Sequence, residues 1–487
     1  MSVSTQSVVL TTCSPENDPR SLHWAQTCHD KFLTRSQIVY PIRSLSLKPL
    51  KASSILPGKV ERLAVNLNSY SKDIRETIAS NRVNSVLSEV FHRVSTESKK
   101  ENISAIHRTI LNQCLDQIVV AFVARQYFGD IEHLIGTDIQ GLCGTAVYDE
   151  SKTNLIYDAQ EITIFGFAGL SGDEINFWLD LESILLTRQL NAVTVSPGIA
   201  DWHTKQFGHK FSVIPNFEPR YNSTETGQAT KHPVRFVYYG GCAEEKNILA
   251  VLNAWTLDRS KGSLSIIAPK SSDRNKLVNN WKQLNRTKCA VHFRSHDDAI
   301  SVGDLLSQFD VGILPYAYSY PYSEASPNKF GQYLAAGLAI LGNRQGFTSR
   351  LIEERELGVV TNFGDALTAS LDIEKMCKLE FLNHFKRNSL KSFDLDLNWD
   401  YQLVSNDSIF LLQREFRRSQ MPVSDISVPL EIGIGKRLKS IPFEFLQTVV
   451  LGVDRSSLGT RIIQKSIRTR IARRLRDELY LRTKGRR

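Results

Sequence analysis

Short apolar strands alternate with helical stretches along this 487-residue chain, and the alternation restarts after a polar break. Before the break, strands are expected at Ser7–Thr11, Gln37–Tyr40, Asn154–Tyr157 and Asn191–Ser196, with helices at Ser21–Leu33, Asn102–Tyr127 and Asp173–Leu190. The break, EPRYNSTETGQATKHP from Glu218 to Pro233, is polar and interrupted by Gly and Pro, as linkers are. From Val234 the pattern resumes with RFVYYGG, a helix from Glu245 to Ala254, SLSIIAP, a helix near Asp273–Leu284, and CAVHF. Strands of this kind, apolar throughout and separated by helices, are covered on both faces and build parallel sheets. The expected fold is therefore α/β, with two doubly wound, Rossmann-like domains facing a cleft. They span 1–217 and 234–413, joined by a linker at 218–233 and followed by an extension over 414–487. The length suits two domains with something left over.

Charge is informative by position. The last 27 residues hold eleven basic and two acidic side chains, a net +9 that equals the charge of the whole chain. Within them Ile463, Ile467, Ile471, Leu475 and Leu479 recur every four residues between arginines, which predicts an amphipathic helix with a basic polar face. Such a helix suits an anionic membrane surface, at about 1 kcal/mol for each well-placed Lys or Arg, with apolar burial added. The second reading is docking of the apolar stripe on the protein's own first domain. Nucleic acid is a third reading, without aromatic interleaving to support it. No apolar run reaches the roughly 20 residues that span a bilayer. The start, MSVSTQSVVLTTC, shows no secretory pattern, and the seven cysteines form no CxxC pair. The expectation is a cytoplasmic protein with reduced thiols, peripheral on a membrane if the tail binds one.

The densest local signal lies between Asp310 and Asn343. A strand over Val311–Leu314 is followed by a loop rich in Tyr, Ser and Pro. A helix then opens at Ser326-Pro327, and a second strand covers Leu338–Leu341. Serine before proline predicts an N-cap with proline in the first turn. Free backbone N–H groups and Lys329 would then face the carboxyl end of a strand, an arrangement that binds phosphate. An ordinary βαβ connection uses the same cap.

Four stretches carry a resemblance to a known family: SPNKFGQYLAAGLAIL, FVYYGGCAEEKNILAVLNAW, NAVTVSPGIADWHTKQFGHKFSVIPNF and NDPRSLHWAQ. They resemble the GT-B glycosyltransferases, and within them the retaining enzymes of glycosyltransferase family 4, over roughly residues 5 to 413. The resemblance implies a nucleoside diphosphate sugar donor whose phosphates are neutralised by basic side chains and helix N-termini, without metal or other cofactor. Lys246 falls where the family places a diphosphate-binding lysine after the Gly240-Gly241 turn. Ser326, Pro327, Asn328 and Lys329 form the phosphate-facing cap, and Glu324 matches the glutamate that contacts donor-sugar hydroxyls. Glu324 and Lys246 are thus the implied catalytic pair. On the acceptor side the matching residues are Asp18 and Arg20 in the first loop, Asp138 in GTD, and Gln160 in YDAQEI.

Three positions depart from the family pattern. Gly241 stands where an arginine is usual, removing a cation from the diphosphate site. Gln332 replaces the second glutamate of the family's pair, the one that grips the ribose, and bonds it without charge assistance. Gln160 replaces a histidine and cannot titrate. The implied function is retaining transfer of a sugar to a hydroxyl of a glycan or lipid-linked saccharide. The alternative is a weakened or inactive relative that binds or scaffolds in polysaccharide biosynthesis. Asp394-Leu395-Asp396 has the form of a DxD metal motif but precedes the closing helix, and reads as surface. The eleven histidines show no zinc spacing.

Overall fold

The two halves become two sheets in the computed structural model. It describes residues 6–410 other than 15–17, 33–34, 43–52, 57–59, 68–75, 78–83, 167–168, 220–232, 244–245, 258–261, 285–289, 296–300, 317–321, 345 and 407. The extension over 414–487, with its predicted basic helix, lies outside the described residues.

The first sheet has eight strands: β1 (Gln6–Leu10), β2 (Arg35–Ile42), β3 (Ser53–Leu56), β4 (Val60–Asn66), β5 (His133–Thr137), β6 (Asn154–Ala159), β7 (Asn191–Thr194) and β8 (Phe211–Val213). Their order is β3-β4-β2-β1-β5-β6-β7-β8. All neighbours are parallel except β3, which pairs antiparallel with β4 at the edge. That antiparallel strand departs from the all-parallel expectation. Helices α1 (Pro19–Phe32), α2 (Ser85–Ser98), α3 (Ala105–Phe128), α4 (Asp138–Thr145), α5 (Thr163–Gly166), α6 (Gly172–Leu186) and α7 (Pro197–Phe207) connect the strands. Successive side chains of β1 serve opposite faces, as the pleat requires. Val8 and Leu10 join the core under α3, while Val9 joins Trp24 of α1 on the other side. Helix α3 is buried over Cys114–Ala124 without a polar face, because it is a core element.

The second sheet has six parallel strands: β9 (Arg235–Tyr239), β10 (Ser263–Ile267), β11 (Ala290–Arg294), β12 (Val311–Leu314), β13 (Ala339–Asn343) and β14 (Gly358–Thr361), in the order β11-β10-β9-β12-β13-β14. Its helices are α8 (Ile248–Leu257), α9 (Ser272–Leu284), α10 (Val302–Leu306), α11 (Asn328–Ala335), α12 (Gly346–Glu354), α13 (Ala366–Met376) and α14 (Leu379–Leu395). In each sheet the first strand is central. The chain winds outward on one side of it, then returns to the other side. The reversal falls between β1 and β5 in the first sheet and between β9 and β12 in the second. Ligands bind outside the carboxyl ends of strands at such reversals.

The chain crosses between the sheets near Ile214–Glu218 and returns with α15 (Trp399–Ser405), whose Trp399 and Leu403 pack with Trp24, Ile409 and Phe410. At the crossing Arg20, only 2% exposed, forms a two-pronged pair with Asp158 at 2.7 Å on each prong. Its Nη1 also donates to the Ile214 carbonyl at 2.8 Å and to Asn216 Oδ1 at 2.9 Å, and its guanidinium lies 5.2 Å from the Trp399 ring. Trp24 adds a 2.8 Å bond from its indole nitrogen to Asp158. Removing either charge of such a buried pair would strand the other in a medium that solvates it poorly.

Candidate active site

The residues after β9 and β12 meet at the second sheet's reversal. Gly240 has φ 137°, which favours glycine, and a Cβ added there would lie 2.8 Å from Lys329 Nζ and displace that amino group. Lys329 reaches this turn from the first turn of α11. Its Nζ donates to the Tyr238 hydroxyl at 3.0 Å and lies 4.3 Å from the Tyr238 ring centre. The Tyr238 hydroxyl in turn donates to the Gly241 carbonyl at 2.6 Å. Lys246, ahead of α8, and Lys329 each stand 5.1 Å from the centre of the Tyr316 ring, which follows β12. The two lysines expected to face the phosphates thus come together over one ring. At Gly241, where the family's arginine is absent, a Cβ would meet nothing within 4 Å. Burial, reinforced by the Lys246 charge, pushes the Lys329 ammonium down to about 7.

The cap of α11 is not the one predicted. Ser196 caps α7 ahead of Pro197 in the expected manner, accepting from the Ile199 N–H. Ser326 does not cap, and Pro327 occupies the N-cap position without a side-chain bond. The Ser326 hydroxyl instead accepts the backbone N–H of Asn216 at 3.1 Å, and its carbonyl accepts from Asn216 Nδ2 at 2.7 Å. The serine is spent on joining the start of α11 to the crossing segment. Gly331 permits this approach, since a Cβ there would meet the Asn216 carbonyl oxygen at 2.5 Å. Asn328, Lys329 and Gln332 are half-buried, while Phe330, Gly331, Tyr333 and Leu334 face the core, so the first three share the open side of the helix.

Glu324 lies in a one-turn 3-10 segment, Tyr322–Glu324, with its side chain 17% exposed. Arg350 of α12 reaches both of its oxygens, at 3.4 Å and 3.0 Å. A Cβ at Gly198, near the start of α7 in the first domain, would lie 2.5 Å from Glu324 Cδ, and one at Gly346, which opens α12, 3.0 Å from it. The carboxylate is therefore held between two helix N-termini, one from each domain, where their dipoles favour negative charge.

On the first domain's side, Asp18 accepts from Thr11 Oγ1 at 2.7 Å and from the backbone N–H of Ser21 at 3.2 Å, and also bonds the Ser21 hydroxyl. It is thereby occupied in ordering the loop into α1. Arg20 is buried in the crossing node rather than turned to the cleft. Asp138 opens α4 with φ 52°, a strained conformation for a non-glycine residue, and its Oδ1 accepts the Gln160 N–H at 3.0 Å. Burial, and then the neighbouring Glu161 and Asp158 charges, hold its carboxyl well above the usual range. Glu161, exposed in the cleft, is also raised by partial desolvation, against which the Lys246 charge pulls it down. The two domains' charged groups thus sense each other.

Tyr238, Tyr316, Glu161 and Arg350 were not singled out by the sequence, although Tyr238 and Glu161 lie inside the stretches FVYYGG and YDAQEI. Tyr238 was legible only as the apolar end of FVYYGG, and Arg350 as one charge on an amphipathic helix. Asp396 pairs with Arg355 at 2.6 Å at the end of α14, and no group of three or more metal-ligating side chains occurs among the described residues. No helix among the described residues is long and apolar enough to cross a membrane.

No protein-family model matches the chain, and no curated protein matches it in sequence. Solved structures do match. A sucrose-phosphate synthase from Thermosynechococcus elongatus superposes with a TM-score of 0.60 at 11% identity, covering 85% of this chain and 100% of that one. A trehalose-6-phosphate structure from E. coli, bound with UDP-2-fluoro glucose, gives 0.57 at 12% identity over 83% and 99%. WaaG, a glycosyltransferase involved in lipopolysaccharide biosynthesis, gives 0.53 at 12% identity over 82% and 99%. The chain has the GT-B fold.

Proposed function

We propose that this GT-B chain is a glycosyltransferase that moves a sugar from a nucleoside diphosphate donor to a hydroxyl of a glycan or lipid-linked saccharide, retaining the anomeric configuration. The observation that carries the reading is the convergence of Lys246 and Lys329 on Tyr316, at the strand reversal where α/β folds bind nucleotides. Several of the structural neighbours are named as synthases or glycosyltransferases, and one holds a UDP-sugar analogue, which supports the same reading.

In this mechanism the two ammonium groups and the N–H groups opening α11, with Asn328 beside them, hold the donor diphosphate. Gln332, on the same side of the helix, meets the ribose. Glu324 orients the donor-sugar hydroxyls, its own position fixed by Arg350. The acceptor oxygen bonds to the anomeric carbon as the bond from that carbon to the diphosphate oxygen breaks, and the departing oxygen takes the acceptor's proton. The lysines stabilise the charge that develops on the diphosphate, so the step requires no metal. Asp138 and Gln160, joined by a hydrogen bond, form the acceptor-side wall. The basic residues of 461–487 would bring the enzyme to an anionic membrane bearing a lipid-linked acceptor.

Titration of the full chain with UDP-, GDP- and ADP-sugars, followed by assay for donor hydrolysis, tests the reading. Binding of one donor with slow hydrolysis is the expected result. Failure of all three to bind would overturn it in favour of a non-catalytic scaffold.

A further inference from the structure

Lys329 is held at its amino group by a tyrosine that has a second obligation. The Tyr238 hydroxyl has one hydrogen, and that hydrogen goes to the Gly241 carbonyl at 2.6 Å. Toward Lys329 Nζ, 3.0 Å away, it therefore presents a lone pair and acts as an acceptor. The Tyr238 ring lies beneath the same amino group, 4.3 Å from it. Gly240, between the two ends of this relay, leaves no room for a side chain against the Lys329 amino group. One residue thus fixes both the carbonyl that shapes the glycine turn and the cation above it.

We propose that Tyr238 is a positioning residue for the donor diphosphate, holding Lys329 over the Gly240–Gly241 turn as the second cation beside Lys246. This rests on the reading of the cleft as a nucleoside diphosphate sugar site and assigns a role that no motif in the sequence marks.

The surroundings give the arrangement a proton-linked signature. The titratable groups facing Lys329 are Tyr238 on β9, Cys242 in the turn, Lys246 before α8 and Tyr316 after β12. Burial pushes the Cys242 thiol up to about 11, so it is neutral near pH 7. Another cation, Lys246, is the strongest charge felt by Lys329, and with burial it brings that lysine down to about 7. A bound diphosphate reverses this balance by placing negative charge beside the ammonium. Above neutral pH the site therefore takes up a proton as the nucleotide enters, and below it does not. Removing the Tyr238 acceptor makes Lys329 harder to charge, so the loss of affinity is greatest at alkaline pH.

The test is calorimetric titration of the full chain with UDP, GDP and ADP in turn, at about pH 6 and about pH 8.5, in buffers of differing ionisation heat. For the nucleotide that binds, wild type is expected to take up close to one proton at the higher pH. Tyr238→Phe, which keeps the ring, should bind about tenfold more weakly there and nearly normally at the lower pH. Lys329→Gln should bind through Lys246 with that proton uptake gone, which separates it from protonation of the nucleotide's own phosphate. A Tyr238→Phe protein with unchanged affinity and proton uptake, or with the same loss at both pH values, overturns the proposal while leaving the donor site standing. Retained proton uptake in Lys329→Gln does the same, and decides the matter if Tyr238→Phe does not fold. If none of the three nucleotides binds wild type, the donor reading itself fails and this inference fails with it.

Discussion

Asn216 Nδ2 donates to the carbonyl oxygen of Ser326 across 2.7 Å, tying the segment that crosses between the domains to the residues just ahead of α11. The same side chain accepts from the buried Arg20 through Oδ1 at 2.9 Å. Asn216→Ala breaks both bonds and leaves a donor on buried Arg20 and an acceptor on buried Ser326 without these partners. It is expected to cost about 1–3 kcal/mol in denaturant unfolding. It should also weaken nucleotide binding, because the first turn of α11 loses its anchor. A variant with unchanged nucleotide affinity would show that the cap is set from within its own domain.

Arg20 and Asp158 form the buried centre of that crossing. Asp158→Ala leaves a guanidinium at the interface with its carboxylate gone, and about 3–5 kcal/mol of stability should be lost. A double variant, Arg20→Met with Asp158→Leu, removes both charges and should recover part of the loss. Equal destabilisation by single and double variants would mean that the bonds from Arg20 to Ile214 and Asn216 matter more than the pair itself.

The alternation of apolar strands and helices made the two doubly wound sheets legible, because strands covered on both faces must be apolar throughout. The antiparallel edge strand Ser53–Leu56 was not, since four residues with two serines carry no periodic signal. The Ser-Pro rule held at Ser196 and failed at Ser326 for a reason no local pattern contains: a peptide N–H more than a hundred positions away competes for the hydroxyl. Sequence reading placed Lys246 and Lys329 on one side of the cleft and noted the arginine missing at Gly241, but the Tyr238 hydroxyl and ring that hold Lys329 over the glycine turn were not legible. Arg20, read as a cleft residue from its loop, is instead withdrawn into the domain crossing. Tertiary placement overrode local assignment wherever the partner was distant in sequence.

Lys246 and Glu324 should separate chemistry from folding. Lys246 packs over the Tyr316 ring, and Glu324 pairs with Arg350, which is 51% exposed. With the arginine half-exposed and the glutamate 17% exposed, the pair contributes on the order of 1 kcal/mol to stability. Lys246→Ala and Glu324→Ala are each expected to abolish sugar transfer, with little change in unfolding free energy. Turnover at the wild-type rate in both variants would remove these residues from the mechanism. Arg350→Ala should act more mildly, raising KM for the donor through a less ordered Glu324.

Asp138 offers a test in which stability and activity move in opposite directions. Its carboxyl is held above the usual range by burial and by Glu161 and Asp158, so the folded protein binds a proton there that the unfolded chain has released. Stability is therefore lost as pH rises from the ordinary aspartate value of about 4 toward the elevated folded-state value. Asp138→Asn removes that titration. The amide oxygen can still accept the Gln160 N–H, and asparagine tolerates the left-handed backbone at φ 52°. The variant should melt at a higher temperature than wild type near neutral pH, with the difference shrinking as the pH falls toward 4. If the carboxyl hydrogen-bonds the acceptor, the same variant should transfer sugar about tenfold more slowly, the loss expected for one weakened hydrogen bond at the site. A gain in stability with unchanged transfer would instead assign the strain at Asp138 to the turn alone.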